Sequence, residues 1–161
     1  MIRPFKEEDL ETICAIAKRA YAGIFAGFEE QIGKKNLDCW IPDARNSKTA
    51  QLTDMARNNP QWLYICERNG RIVGFIMFRL DYERKLGTIN NNASDPLAGE
   101  KGVGQEMYSF VLDYFRREGM KTAMVHTGLD EAHAPARKAY ERIGFNRTIP
   151  EVLYFKDLEE E

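Results

Sequence analysis

The dipeptide Asn69-Gly70 is the strongest constraint on the fold, because it separates two apolar runs at the spacing of a tight hairpin. Asn-Gly favours the type I′ turn, whose twist matches the right-handed twist of paired strands. Residues 62–67 and 72–80 are therefore predicted to form two antiparallel strands. A chain with this hairpin at its centre builds a sheet, and the segments on either side must supply the layers that cover it.

Helices and further strands are predicted on both sides of the hairpin. Before it, the patterns predict a strand at 1–5, a helix at 7–21, a bent helical segment interrupted by Gly27 and Gly33, and a helix at 47–58. After it they predict, in order, a strand at 87–94, a helix at 104–118, a strand at 121–127, a helix at 132–143 and final strands at 145–147 and 152–155. This order predicts an α/β protein with a mixed sheet and helices on its faces.

The composition is that of one globular domain. A chain of 161 residues buries about 70% of its unfolded surface, enough for a single core, so we expect one domain over residues 1–161. The 23 Lys and Arg against 25 Asp and Glu give a net charge of −2, which disfavours general nucleic-acid binding. No run approaches the roughly 18 apolar residues of a membrane span, and residues 1–11 are too acidic and polar for a secretory signal. We therefore expect a cytoplasmic protein that does not enter membranes.

The cysteines and histidines favour neither a disulfide framework nor a metal site. Cys14, Cys39 and Cys66 are an odd number at wide spacing, with no CxxC pair. His126 and His133 are the only histidines, so a zinc knuckle is disfavoured and no metal is expected. We expect three reduced and mostly buried thiols, as in a cytoplasmic protein.

A glycine-rich turn at residues 96–104 joins a predicted strand to the start of a predicted helix. The first N–H groups of a helix have no partner inside it, and the helix dipole adds partial positive charge there. Gly99, Gly102 and Gly104 let the backbone close around a bulky anion, so the turn predicts a phosphate or pyrophosphate site, with an ordinary connection as the alternative. The pattern GxxxxGK[ST] is absent, and Met107 stands where a dinucleotide motif needs its third glycine.

The turn and a later helix resemble the GNAT superfamily of acyl-CoA-dependent N-acyltransferases. The family's central loop reads Arg or Gln, two residues, Gly, one residue, and Gly or Ala; here Gly102 and Gly104 match its glycines. The family's second element is a helix that carries a Tyr and ends in Gly-Phe, which residues 139–145 match as Ala-Tyr-Glu-Arg-Ile-Gly-Phe. The resemblance covers residues 62–145 firmly and the earlier part of the chain loosely.

Three positions depart from the family pattern. Gly99 stands where the family has Arg or Gln, Glu100 puts a carboxylate into the loop, and His133 replaces an Asn seven residues before Tyr140. A carboxylate beside a pyrophosphate is unfavourable unless it points to solvent. An imidazole can take over the hydrogen bond that the Asn makes to the pantetheine arm.

The resemblance implies a mostly antiparallel sheet and an N-acetyltransferase that moves an acetyl group from acetyl-CoA to a primary amine. In this family the amine attacks the thioester directly within a ternary complex, and a backbone N–H polarises the thioester carbonyl. Tyr140 is then the general acid for the leaving thiolate, with a plain core role as the alternative. Dimers are common in the family, so a homodimer is a further hypothesis. The residues implied to bind acetyl-CoA are Ala93, Ser94, Gly99, Glu100, Lys101, Gly102, Val103, Gly104, His133 and Tyr140.

The attacking amine must also lose a proton before it reacts. An amine with a pKa near 10 is mostly protonated at neutral pH. His126 is the candidate base, because an imidazole titrates close to that pH. Asp81, Glu83, Asp130 and a chain of water molecules are the alternatives.

Two pairs of residues are candidates for acceptor binding. Three consecutive asparagines are unfavourable in a strand, and strand alternation puts Asn90 and Asn92 on one face and Asn91 on the other. We therefore expect Asn90 and Asn92 to line the acceptor cleft. Phe25 and Phe28 lie in the variable segment 21–42, where they line either an acceptor pocket or the core.

Functions from other classes compete with the enzyme. A catalytically silent acyl-CoA-binding module is the first alternative, because Gly99-Glu100 is unusual and no base is evident. A nucleotide-phosphate-binding module of another fold and a purely structural domain are the others. The sequence identifies neither the acceptor amine nor the length of the acyl chain.

Overall fold

A computed structural model describes residues 1–159. Within them the chain forms a five-stranded sheet with helices on both faces. The strands are β1 (Ile2–Pro4), β2 (Leu63–Arg68), β3 (Arg71–Asp81), β4 (Leu86–Ser94) and β5 (Thr122–Val125). The helices are α1 (Leu10–Trp40), α2 (Ala44–Asn58), α3 (Val103–Arg117) and α4 (Ala134–Arg142).

The sheet is mixed and mostly antiparallel, as expected. Its spatial order is β1-β2-β3-β4-β5, with antiparallel pairs up to β4 and a parallel β4–β5 pair at the end. Asn69 has φ 51° and Gly70 has φ 71°. Two positive φ values in succession are the mark of a type I′ turn, so the predicted hairpin is confirmed.

Helix α1 is longer than predicted. It runs through Gly27 and is broken only by the conformation of Gly33, whose φ of 77° and ψ of 155° lie outside the helical region. Its predicted first turn is a separate 3-10 turn, Glu7–Asp9. Asp9 in this turn is buried, and its carboxylate accepts hydrogen bonds from Arg3 at 2.7 and 2.9 Å.

Two apolar layers hold the helices against the sheet. On one face α1 and α2 pack on β2 and β3 through Ile13, Ile16, Leu52 and Phe75. On the other face α3 packs on β3 and β4 through a second cluster that includes Phe78, Met107, Val111 and Phe115. A Cβ at Gly74 would lie 2.8 Å from Ala93 O and 2.9 Å from Val103 Cγ1, so the absence of a side chain there lets the start of α3 approach the sheet.

The end of the chain differs from the prediction. The strands predicted at 145–147 and 152–155 are wrong, because the described residues after α4 contain neither helix nor strand. Phe155 packs on Trp40 at a ring-centroid distance of 5.4 Å, and the Lys35 ammonium contacts Asp157 at 2.7 Å. Tertiary contacts with α1 therefore take the place of sheet pairing.

The thiols also differ from the prediction. Cys66 is buried, Cys14 is half-buried and Cys39 is exposed. Cys39 lies near the end of α1, beyond Gly33, where the helix runs along the surface. Among residues 1–159 no helix has both the length and the apolar character needed to cross a membrane.

Candidate active site

The candidate active site lies where β4 and β5 part. The parallel ladder joins Leu86 through Ile89 of β4 to β5, and no further pairs follow in the described part of the chain. The remainder of β4, from Asn90 onward, keeps an open edge. Such an edge offers backbone N–H and C=O groups to a ligand that lies along it.

The backbone of Asn92 faces this open edge. The Tyr21 hydroxyl of α1 donates to Asn92 O at 3.0 Å and accepts from Asn92 N at 3.3 Å. Backbone groups alternate between the two edges of an antiparallel strand, so Ser94 faces the open edge too, whereas Ala93 faces β3. Asn92, not Ala93, thus accompanies Ser94 on the open edge.

The side chain of Asn92 is the centre of a buried tyrosine network. Its Oδ1 accepts from the Tyr108 hydroxyl at 2.7 Å, and its Nδ2 donates to the Tyr140 oxygen at 3.3 Å and to Asn90 O at 3.0 Å. Tyr108 and Tyr140 are both buried. Because Tyr140 accepts this bond, its own hydroxyl hydrogen is left to be donated to another atom.

Burial keeps two of the tyrosines neutral. Desolvation raises the pKa of Tyr21 and that of Tyr108 well above the usual range of a phenol. Both hydroxyls therefore serve as hydrogen-bond donors at neutral pH, as their bonds to Asn92 require.

The glycine-rich turn follows directly after β4 and is anchored by Asp95. The buried Asp95 carboxylate accepts from Leu97 N at 3.0 Å and pairs with Arg19 of α1 at 3.1 Å. Gly99 and Gly102 have φ values of 66° and 76°, a region that favours glycine.

This turn presents a series of free N–H groups. Within residues 1–159, the backbone N–H groups from Gly99 to Gln105 have no hydrogen-bond acceptor. The first backbone hydrogen bond of α3 runs from Glu106 N to Gly102 O at 3.0 Å. Unpaired N–H groups at a helix start form an anion-binding cradle. The glycine-rich turn therefore has N–H groups to offer to the predicted phosphate ligand.

The carboxylate of Glu100 is turned towards an arginine. Arg68 at the end of β2 donates to Glu100 at 2.9 Å, to Lys101 O at 3.0 Å and to Glu106 at 2.9 Å. The guanidinium offsets the negative charge that the sequence brings into the turn. Arg68, which no local motif marks as a site residue, thus reduces the repulsion between Glu100 and an anion in this loop.

His133 lies at the start of α4 and forms a close pair with Asp130. The distance from Nδ1 to Asp130 Oδ2 is 2.6 Å, and the ring stacks on Phe28 with centroids 6.4 Å apart. Burial acts to raise the pKa of Asp130, but the hydrogen bond and charge of His133 outweigh it, so that pKa is lowered. A Cβ at Gly128 would lie 2.7 Å from His133 Nδ1, so the pair needs a glycine there.

The other residues predicted for acceptor binding and for the base differ in how deeply they are buried. Phe25 is buried with Leu37 and Ala44 and belongs to the core, whereas Phe28 reaches His133. Asn90 has a buried Oδ1 for which residues 1–159 provide no partner. The His126 side chain is 86% exposed, with Glu151 Oε2 at 3.9 Å.

The acidic alternatives to His126 at the β3–β4 hairpin lie far from the tyrosine network. Asp81 pairs with Leu86 at the opposite end of β4 from Asn92. Six residues of strand separate Leu86 and Asn92, which corresponds to about 20 Å. Asp81 and its neighbour Glu83 are therefore too distant to take a proton at the open edge.

A second polar cluster lies on the opposite face of β4. Asn91 accepts from Lys48 Nζ at 2.9 Å and donates to Gln51. The Lys48 ammonium also lies 5.0 Å from the centre of the Tyr21 ring. Sequence reasoning missed Tyr21, Lys48 and Tyr108; the only signal was the unusual run of asparagines that all three contact.

Two proteins named as acetyltransferases are similar to this chain in sequence. Mycothiol acetyltransferase of Thermomonospora curvata is 30% identical over 96 residues, which cover 60% of this chain and 31% of that protein. The chain thus spans about a third of the length of this mycothiol acetyltransferase. S-(2-succino)cysteine N-acetyltransferase of Bacillus subtilis is 24% identical over 148 residues, 88% of this chain and 81% of that protein.

One solved structure resembles this fold, and one family model matches most of the chain. The PaiA N-acetyltransferase of Thermoplasma acidophilum, solved in complex with coenzyme A, superposes with a TM-score of 0.71 at 16% identity, over 94% of this chain and 92% of that chain. This likeness shows the shared fold. The model of the acetyltransferase (GNAT) family matches residues 25–145, which include the open edge, the glycine-rich turn and Tyr140. The chain therefore belongs to the acetyltransferase (GNAT) family.

Proposed function

We propose that this chain transfers an acetyl group from acetyl-CoA to a primary amine, by direct attack of the amine on the thioester within a ternary complex. The observation that carries the proposal is the bond from Asn92 Nδ2 to the Tyr140 oxygen, because it holds the Tyr140 hydroxyl beside the part of β4 that has an open edge. Family membership and relatives named as acetyltransferases support it.

The residues of the glycine-rich turn fit coenzyme A. The free N–H groups between Gly99 and Gln105 would hold the pyrophosphate, and the positive charge of Lys101 adds to their attraction. The outward-facing backbone of Ser94 would pair with the pantetheine arm. Acetyl-CoA supplies an acetyl group already activated as a thioester.

The Asn92 N–H is the proposed donor to the thioester carbonyl. An oxygen atom already reaches it at 3.3 Å, that of the Tyr21 hydroxyl, so an oxygen fits at this position. A donor aimed at the oxygen stabilises the negative charge that develops there as the amine attacks. The Tyr21 hydroxyl must give up or share this N–H when the donor substrate binds.

Tyr140 is the proposed general acid. As the nitrogen–carbon bond forms and the carbon–sulfur bond breaks, its hydroxyl gives a proton to the leaving sulfur. Asn92 holds the tyrosine oxygen from the other side, and Tyr108 in turn holds Asn92. Asn92 therefore positions Tyr140, while the unpartnered Oδ1 of Asn90 is the atom we assign to the acceptor amine.

The proton of the attacking ammonium passes to solvent in this proposal. His126 is the candidate to relay it, but its ring is exposed and has no hydrogen bond to the tyrosine network within residues 1–159. We therefore expect His126→Gln to lower kcat/KM far less than the roughly 100-fold expected for an obligate base.

Thermal stability and CoA release test the proposal. A ligand at 100 times its Kd adds about 2.7 kcal/mol, which raises the Tm by several degrees. We expect this shift with acetyl-CoA, none with ATP or NAD at the same concentration, and release of free CoA when primary amines are added. Stabilisation by acetyl-CoA without CoA release from any primary amine would support the silent binding module instead.

A further inference from the structure

The cluster of Lys48, Gln51 and Asn91 keeps several hydrogen-bond donors unused. Lys48 Nζ donates to Asn91 Oδ1 at 2.9 Å, and Asn91 Nδ2 donates to Gln51 Oε1. Each of the two amide oxygens thus already accepts one hydrogen bond within the cluster. The remaining ammonium hydrogens and the Gln51 amide hydrogens can bind only an acceptor group.

The charge of Lys48 has no acidic partner. The salt bridges formed within residues 1–159 include Lys34 with Asp38 at 2.6 Å, but none includes Lys48. Burial lowers the pKa of Lys48, and no neighbouring charge contributes to that shift. Partial removal of a cation from water costs free energy when no counter-ion is present. An anion bound beside Lys48 would offset this desolvation free energy.

The cluster adjoins the position at which the acetyl group is transferred. The Lys48 ammonium lies 5.0 Å from the centre of the Tyr21 ring, and the hydroxyl of the same ring contacts the backbone of Asn92. Asn91 and Asn92 are consecutive in β4. The Tyr21 side chain thus lies between the Lys48 ammonium and the Asn92 N–H that is proposed to bind the thioester oxygen.

We infer that the acceptor is an amine that also carries a carboxylate, and that Lys48 and Gln51 bind this carboxylate while the amino group is presented at the open edge of β4. The inference rests on the proposed acetyltransferase function. It narrows the acceptor from any primary amine to compounds such as amino acids. Charge-assisted hydrogen bonds from an ammonium to a carboxylate are the strongest that this cluster can form.

Matched pairs of amines test the inference. Each pair consists of an amino acid and the amine that lacks its carboxylate: phenylalanine with phenethylamine, and S-methylcysteine with 2-(methylthio)ethylamine. We expect kcat/KM with acetyl-CoA to be about 10–100-fold higher for the acid, mainly through a lower KM. In Lys48→Met this ratio should fall towards one, whereas Lys48→Arg should retain most of it.

Lys121→Met is the matched control, because Lys121 is an exposed lysine at the start of β5 and should keep the wild-type ratio. Binding is measured separately as the Tm shift that N-acetylphenylalanine and N-acetylphenethylamine produce in the presence of CoA. A larger shift with the acid that is lost in Lys48→Met supports the carboxylate site even where no amine of the panel is acetylated. Equal ratios and equal shifts for acid and amine, or an equal loss in Lys121→Met, would overturn it. Binding of the acid without CoA release from any amine would count against the proposed function alone.

Discussion

The two faces of β4 differ although they are built from neighbouring asparagines. On one face, Asn92 is enclosed by Tyr108 and Tyr140, and both hydrogens and the oxygen of its amide are engaged. On the other, Asn91 contacts Lys48 and Gln51, which keep donors to spare. A closed network fixes atoms in place, as chemistry requires, whereas an open cluster still has binding capacity. Under the two proposals, Asn92 positions the general acid Tyr140 on one face of β4, and Lys48 and Gln51 bind the carboxylate of the acceptor on the other.

Tyr140→Phe should have the largest effect on turnover. It removes the hydroxyl proposed to protonate the leaving sulfur, so kcat should fall about 100-fold. The Kd for acetyl-CoA should stay nearly constant, because the glycine-rich turn is untouched. Single-turnover kinetics and calorimetric titration measure the two quantities. An unchanged kcat would show that Tyr140 is not the general acid and has only a packing role in the core.

Replacing each asparagine by alanine compares the faces directly. Asn92→Ala leaves the buried Tyr108 hydroxyl without its acceptor, so the free energy of unfolding should fall by about 1–3 kcal/mol and kcat should fall with it. Asn91→Ala should change stability by no more than about 0.5 kcal/mol. Urea unfolding of both variants provides the measurement, and each serves as the control for the other. Equal losses in the two variants would contradict the distinction between a closed and an open face.

Arg68→Gln should weaken donor binding while leaving acceptor binding intact. Without the guanidinium, the Glu100 carboxylate repels the pyrophosphate, and the Kd for acetyl-CoA should rise about fivefold. The double variant Arg68→Gln/Glu100→Gln should recover most of the affinity, because the repelling charge is gone. A double variant that binds no better than the single one would show that Glu100 points away from the ligand.

The preference for carboxylate-bearing amines should decrease at high pH. Burial lowers the pKa of Lys48, so its ammonium loses a proton at a lower pH than an ordinary lysine does. The preference is therefore expected to decrease as the pH rises through the pKa of Lys48, which lies below the usual lysine value of 10.5. Nearby Tyr21 stays neutral over this range, since burial raises its pKa. The ratio of kcat/KM for an amino acid to that for its matched amine should fall a few-fold between pH 7 and pH 10. The Lys48→Arg variant, whose guanidinium stays charged, should not show this fall.

Local sequence signals predicted the parts of the site that lie close together in the chain. The glycine-rich turn and Tyr140 carry their chemistry in short motifs, and strand alternation alone separated Asn91 from Asn92. Tyr21 and Lys48 were missed because they are 71 and 43 residues away from the asparagines that they contact. Arg68 was missed for the same reason, since its partner Glu100 is 32 residues away.

The sequence by itself determined the hairpin, the order of most strands and helices, and the position of the glycine-rich turn, because backbone preferences and side-chain periodicity act over a few residues. Tertiary structure decided that the residues after α4 form no strand and that Phe155 and Asp157 contact α1 instead. It also decided that α1 continues past Gly27, and that Tyr21, earlier in the same helix, contacts the backbone of Asn92. Packing between distant segments outweighs local propensity at such places, because the free energy of burying apolar surface exceeds the small differences among backbone conformations.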